Sequence, residues 1–102
     1  MADITITQNT EKHRYEATIG GELAGYCEYN LLTDAIMFTH TEVLEAFEGQ
    51  GVGSAIARHV LDAARSAGQH VIPVCQFIAG YIRKHRDYAD LVRADVQRAF
   101  KI

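Results

Sequence analysis

Three groups of residues in this chain have the types and spacing to do chemistry. The first is the run Gly49-Gln50-Gly51-Val52-Gly53-Ser54, in which glycines alternate just ahead of an apolar-periodic segment. Glycine lets a backbone turn tightly and approach a ligand. The amides that open a helix have no upstream acceptor, so those near Gly51, Gly53 and Ser54 form an anion site for a phosphate or pyrophosphate. The second group is Cys75, behind Pro73-Val74 and ahead of an apolar stripe, which puts the thiol at a helix start. A helix start stabilises an anion by about 0.3–1 kcal/mol, too little to ionise a thiol at neutral pH. A neighbouring imidazolium would have to do the rest, and His40 on the adjacent parallel strand is the best-placed candidate. The third group is His40 and Glu42, two residues apart on one strand face with Phe38. A histidine and a carboxylate at a strand end can take a proton from an attacking amine, directly or through water.

Each group also has a plainer reading: a purely structural glycine loop, a buried inert cysteine, and a solvated strand end. Two nucleotide motifs are excluded. No lysine follows the glycines as a P-loop requires, and a dinucleotide fingerprint would need glycine where Ser54 or Ile56 stands. His13 falls in a turn, His59 on the exposed side of a helix and His70 at a strand start, while His85 lies on an apolar helical stripe. Cys27 falls inside a strand and is read as core. Arg83, Lys84 and Arg86 form a basic cluster after the second helix, read first as a solvated helix end.

The elements that must position these residues follow from periodicity. Ile4, Ile6 and Gln8 alternate with polar residues and mark a first strand. Arg14 to Ile19 marks a second, and Gly20-Gly21 is a hairpin signal into a third, Glu22 to Asn30, with Leu23, Gly25 and Cys27 on one face. Thr33-Asp34 turns the chain into a fourth strand, Ala35 to Val43. Short links imply an antiparallel meander. After the glycine loop come a helix through Ile56, Val60, Ala63 and Ala64, a stop at Gly68, and a short fifth strand, His70 to Val74. A strand–helix–strand crossover makes that strand parallel to the fourth. A second helix, Cys75 to His85, carries Phe77, Ile78, Tyr81, Ile82 and His85 on one stripe, and a third is expected within Asp90 to Ile102. The class is α+β, a mixed sheet with two to three helices.

Composition agrees. The 102 residues suit one domain spanning 1–102, with 48% apolar and 23% charged residues. No apolar run approaches a membrane span. The opening MADITITQNT lacks the basic and apolar regions of a secretory signal. Two cysteines make neither a disulfide framework nor a zinc site, so no metal is expected and a cytoplasmic setting is the default. The net charge of −3 divides unevenly. Residues 1–50 carry nine acidic and two basic residues, whereas residues 51–102 carry eight basic and four acidic ones. That balance suits a small polyanion better than a nucleic acid, and neither a nucleic acid nor a membrane is expected as a partner.

Strand, GQGVGSA and amphipathic helix together resemble the acetyl-CoA site of the GNAT superfamily of N-acetyltransferases. The stretch VIPVCQFIAGYIRKHRDYADLV, Val71 to Val92, resembles a short single-domain branch with a cysteine after the fifth strand. The resemblance spans about residues 40–92. It implies that amides of Gln50, Gly51, Val52, Gly53 and Ser54 hold the coenzyme A pyrophosphate. It also implies that the fourth and fifth strands splay, that the pantetheine arm lies along Thr41 to Val43, and that the thioester points towards Cys75. The reaction implied is acetyl transfer from acetyl-CoA to an amine that the sequence does not identify. It would run by direct attack with His40 or Glu42 taking the proton, or through acetyl-Cys75. Tyr81 is a further candidate, as proton donor to the leaving thiolate, and the basic cluster could meet the 3′-phosphate. Glu48 stands where the superfamily usually has Arg or Gln and is expected to point away. Only residues 9–13 separate the first two strands, where larger members place the helices that cover the acceptor. A coenzyme A-binding module without turnover and a small interaction domain are the rival readings; a monomer or weak dimer is expected.

Overall fold

The computed structural model describes residues 3–102. Five strands form one sheet in the order β1 (Ile4–Asn9), β2 (Arg14–Ile19), β3 (Glu22–Leu31), β4 (Ala35–Val43), β5 (His70–Pro73). The first four pair antiparallel and β5 runs parallel to β4. The crossover between them is helix α1 (Val52–Ser66); α2 (Gln76–Lys84) follows β5. The mixed sheet with its helices is therefore as the sequence pattern implies. The β2–β3 hairpin turns at Gly20 and Gly21, whose φ values of 58° and 83° lie where a side chain is strained.

Helix α1 buries Val52, Ile56, Val60, Leu61 and Ala64, one stripe at helical spacing, and lies across all five strands. It ends where Gly68, at φ 69°, stops the turn. Phe38 from β4 and Ile78 and Ile82 from α2 complete a fully buried centre.

Two β-bulges change which residues share a face. Thr18 pairs with Leu23 and Ala17 with Gly25, so Ala24 is an extra residue in β3. Leu23 therefore does not share the face of Gly25 and Cys27 as simple alternation implies. In β4, Glu28 pairs with His40 and Tyr29 with Phe38, so Thr39 is the extra residue. Phe38 is fully buried while His40 and Glu42 are exposed. The shared face expected for these three is thus corrected: His40 and Glu42 stay together, and Phe38 lies on the other side.

Cys75 is the N-cap of α2, at the helix start that the sequence implies. The rest of that helix differs from expectation. Phe77 and His85 are exposed instead of lying on the buried stripe, which is Ile78, Ala79 and Ile82. The third helix expected within Asp90 to Ile102 is α3 (Ala94–Phe100), and a 3-10 turn, Arg86–Leu91, precedes it. That turn seats Tyr88 in the core, where its hydroxyl donates to Asp62 at 2.7 Å. Arg83 donates to the carbonyls of Phe100 and Lys101, so this member of the basic cluster is committed to the end of α3.

Cys27 is fully buried, and burial pushes its thiol up from an ordinary value near 9 to about 12, with Thr41 pulling the other way. The unfolded chain releases this proton above pH 9 while the folded chain keeps it. Stability should therefore fall as pH rises through this window, by up to about 1.4 kcal/mol per pH unit from this group. Cys27→Ala should make the urea midpoint fall less between pH 8.5 and 10.5 than in the parent protein.

Candidate active site

The site begins where β4 and β5 part. Their pairing covers only Ala35–Phe38 against His70–Pro73. Pro73 has no N–H to continue the ladder, and Val74 turns its own N–H back to Ile72. The last link is from the amide of Cys75 to the Phe38 carbonyl, at 2.8 Å. Beyond it Thr39 to Val43 run on without β5. Leu44 donates its amide to Ala24, towards β3. Since main-chain groups alternate sides along an antiparallel strand, those of Thr41 and Val43 face the gap.

The glycine loop lies beside this free edge. Gly49 and Gly51 take φ values of 83° and 78°, and Gly51 caps α1 without any side-chain cap. Ala55 makes the first helical hydrogen bond, to Gly51, so the amides of Val52, Gly53 and Ser54 have no acceptor within the helix. They point out together at the positive end of a 15-residue helix. The Val52 side chain is buried, so only its amide serves the loop. At Gly53 an added Cβ would stand 2.8 Å from the Phe77 ring, which α2 lays over the loop. Val43, Glu48, Gly49, Gly51, Val52, Gly53, Ser54 and Phe77 line a hollow at the start of α1. Gln50 is exposed and borders the adjoining hollow with Arg58.

Cys75 lies at the mouth of the gap between exposed Val74 and Phe77, but is itself buried. Its Sγ donates to Thr41 Oγ1 at 3.2 Å. The expected pairing of Cys75 with His40 is therefore not formed. The Thr39 bulge sends Thr41 to the helix-covered side and His40 to the opposite one. Nothing in the sequence marked the Thr41–Cys75 contact.

On that opposite face, His40 Nε2 and Glu42 Oε1 are 3.0 Å apart, both side chains about half exposed at 52% and 48%. The cross-strand rows are Arg14–Glu28–His40 and Glu16–Tyr26–Glu42. Arg14 lies over the Tyr26 ring and bonds Glu16 at 2.8 Å, holding the Glu16 carboxyl below its usual range. Tyr81, half-buried, is at the glycine loop beside Ser54 and stacks on His85. Among the described residues no three His, Cys, Asp or Glu side chains group as a metal site, and no helix is long and apolar enough to cross a membrane.

Residues 14–91 match the family model described as GCN5-related N-acetyl-transferase. The chain belongs to that family. The GCN5-related N-acetyltransferases are acyltransferases, and this member holds the family's sheet with four antiparallel strands and a parallel fifth. Among solved structures it is similar to the NMR solution structure of a GCN5-like protein from Staphylococcus aureus. The TM-score is 0.68 at 23% identity, over 91% of each chain. No curated protein matches.

Proposed function

We propose that this protein transfers the acetyl group of acetyl-CoA to an amine by direct attack in the gap between β4 and β5. The observation that carries the reading is the meeting of two unpaired sets of backbone groups. The free amides of Val52, Gly53 and Ser54 lie beside the free edge of β4 at Thr41 and Val43. The first set suits a pyrophosphate; the second suits the amides of a pantetheine arm. Acetyl-CoA supplies an activated thioester when bound. Gln50 and Gly51 complete the loop that would hold it.

His40 and Glu42 are the proposed proton acceptors. With Nε2–H donating to Glu42, the Nδ1 lone pair of His40 is free to take a proton from the ammonium formed as the amine attacks. The pair lies on the face that Arg14, Tyr26 and Glu16 line, and the short β1–β2 link leaves this face open to an acceptor. A relay through Cys75 is the second reading, supported by the position of Cys75 at the mouth of the gap. It requires the sulfur as an anion to form a bond to the acyl carbon while the coenzyme A thiolate leaves. The S–H bond to Thr41 and the burial of the thiol favour direct attack. Cys75→Ala should therefore keep acceptor-dependent thiol release; its complete loss would establish the relay.

The first test is calorimetric titration with acetyl-CoA, with free adenosine nucleotide as control. Selective binding of acetyl-CoA is expected, followed by thiol release on screening amines. Binding with no release by any amine would favour the non-catalytic module, and no binding at millimolar ligand would overturn the assignment. The same titration tests Glu48, one of the residues that line the hollow at the glycine loop. Glu48→Gln should tighten acetyl-CoA by about three- to tenfold, the scale of one unit charge a few ångströms away in water. An unchanged affinity would mean that the carboxylate does not sense the pyrophosphate.

A further inference from the structure

Resting on the acetyl-CoA reading, we propose that the acceptor is a small aliphatic amine that carries a second ammonium group. Its reacting nitrogen lies at His40, and Glu28, across the ladder from His40, holds the second nitrogen.

Glu16, Glu28 and Glu42 share the face of His40, and two of these carboxylates are committed. Glu42 lies 3.0 Å from His40 Nε2. Glu16 accepts from Arg14 at 2.8 Å and from Asn9 at 3.2 Å. The Glu28 side chain is half-buried, yet it makes no hydrogen bond or ion pair among the described residues. It pairs with His40 in the β3–β4 register. Side chains directly opposite in such a ladder have Cβ atoms about 4.5–5.5 Å apart. The Thr39 hydroxyl donates to the Glu28 carbonyl at 3.4 Å, so the bulge that turns His40 to this face is pinned at Glu28 itself. A proton acceptor and an unneutralised carboxylate are thus set one short alkyl chain apart.

The neighbouring row has the same chemistry, filled from within. Arg14 places its guanidinium 4.5 Å from the centre of the Tyr26 ring and bonds the Glu16 carboxylate. Arg14 is also the other cross-strand neighbour of Glu28, but it is turned to Glu16 and leaves Glu28 without a cation. The rings of Tyr26 and His40, with centroids 6.2 Å apart, offer an apolar wall to an alkyl chain. A half-buried carboxylate is partly desolvated, and a cation offsets that loss where a neutral tail does not.

In the transfer, the free-base nitrogen forms its bond to the acetyl carbon as the carbon–sulfur bond breaks. Its proton passes to His40 Nδ1 and from there to the departing coenzyme A thiolate. The second nitrogen keeps its proton, on Glu28. Its positive charge favours the free base at the reacting nitrogen nearby.

The test compares thiol release at saturating acetyl-CoA with putrescine and with butylamine, which has the same chain and one nitrogen. The parent should favour putrescine in kcat/KM by about ten- to a hundredfold, the scale of a hydrogen bond to a charged group. Glu28→Gln should bring the two amines together. Glu11→Gln, which removes an equal charge from the exposed β1–β2 link, should keep the preference. Equal rates for the two amines in the parent, or a preference that survives in Glu28→Gln, would overturn the proposal. Faster acetylation of a lysine in a short basic peptide than of putrescine would also overturn it, making the acceptor a protein. Failure of every amine to release thiol would overturn the transfer reading as well, whereas transfer without preference for the diamine sinks this one alone.

Discussion

His40→Ala is expected to slow amine acetylation by about 10²–10⁴, the range that one well-placed proton acceptor contributes. The effect should fall on kcat, with acetyl-CoA affinity preserved, because His40 is on the opposite side of β4 from the residues of the glycine loop. Stopped-flow thiol release at saturating acetyl-CoA reads the first quantity and calorimetry the second. Glu42→Gln keeps a partner for Nε2 but removes the negative charge that steadies the imidazolium, so a smaller loss is expected. Equal rates in His40→Ala and the parent at every pH would remove the histidine from the mechanism.

Gly25→Ala is expected to destabilise the fold by about 3 kcal/mol, the upper end of overpacking losses. An added Cβ there would stand 2.7 Å from the Glu42 carbonyl, with Val52 and Ile56 side chains at 3.1 and 3.3 Å. The offending atom is backbone, held in the β3–β4 ladder, so it cannot swing aside as a side chain would. For a domain of this size the loss corresponds to a fall in Tm of roughly 12–24 °C. The variant couples stability to the site, because relief requires β4 to move at Glu42, one of the paired proton acceptors. Thermal unfolding measured beside amine acetylation should show both falling. An unchanged Tm would mean that the two strands are less tightly juxtaposed than the contact implies.

Much of the frame is legible in the residues. Alternation set β2 and β4 to the residue, helped by the Gly20-Gly21 turn after β2 and the Thr33-Asp34 turn before β4. Gly20, Gly21 and Gly68 marked turns that need positive φ. The alternating glycines marked an uncapped helix start, which follows from chain chemistry alone. Gly25 was a weaker signal: glycine inside a strand often marks a close approach, but only the register shows that the Glu42 carbonyl is what comes close. Sequence alone does not set the phase of α2, because Phe77 and His85 are apolar or aromatic enough to extend the stripe of Ile78 and Ile82. Their exposure follows from where α1 and β4 already fill the space beneath the helix. The commitment of Arg83 to the end of α3 was equally invisible, being a contact to carbonyls 17 and 18 residues away.

By itself the sequence determined that a glycine loop opens a helix, that a thiol stands at the next helix start, and that His40 and Glu42 share a strand face. Local rules suffice for each, since capping, turn formation and period-two alternation act within a few residues. Which side of the sheet receives His40, and which side chain meets Cys75, was decided by tertiary structure. One unpaired residue, Thr39, reverses the facing of everything after it in β4, and only the pairing with β3 makes that residue the extra one.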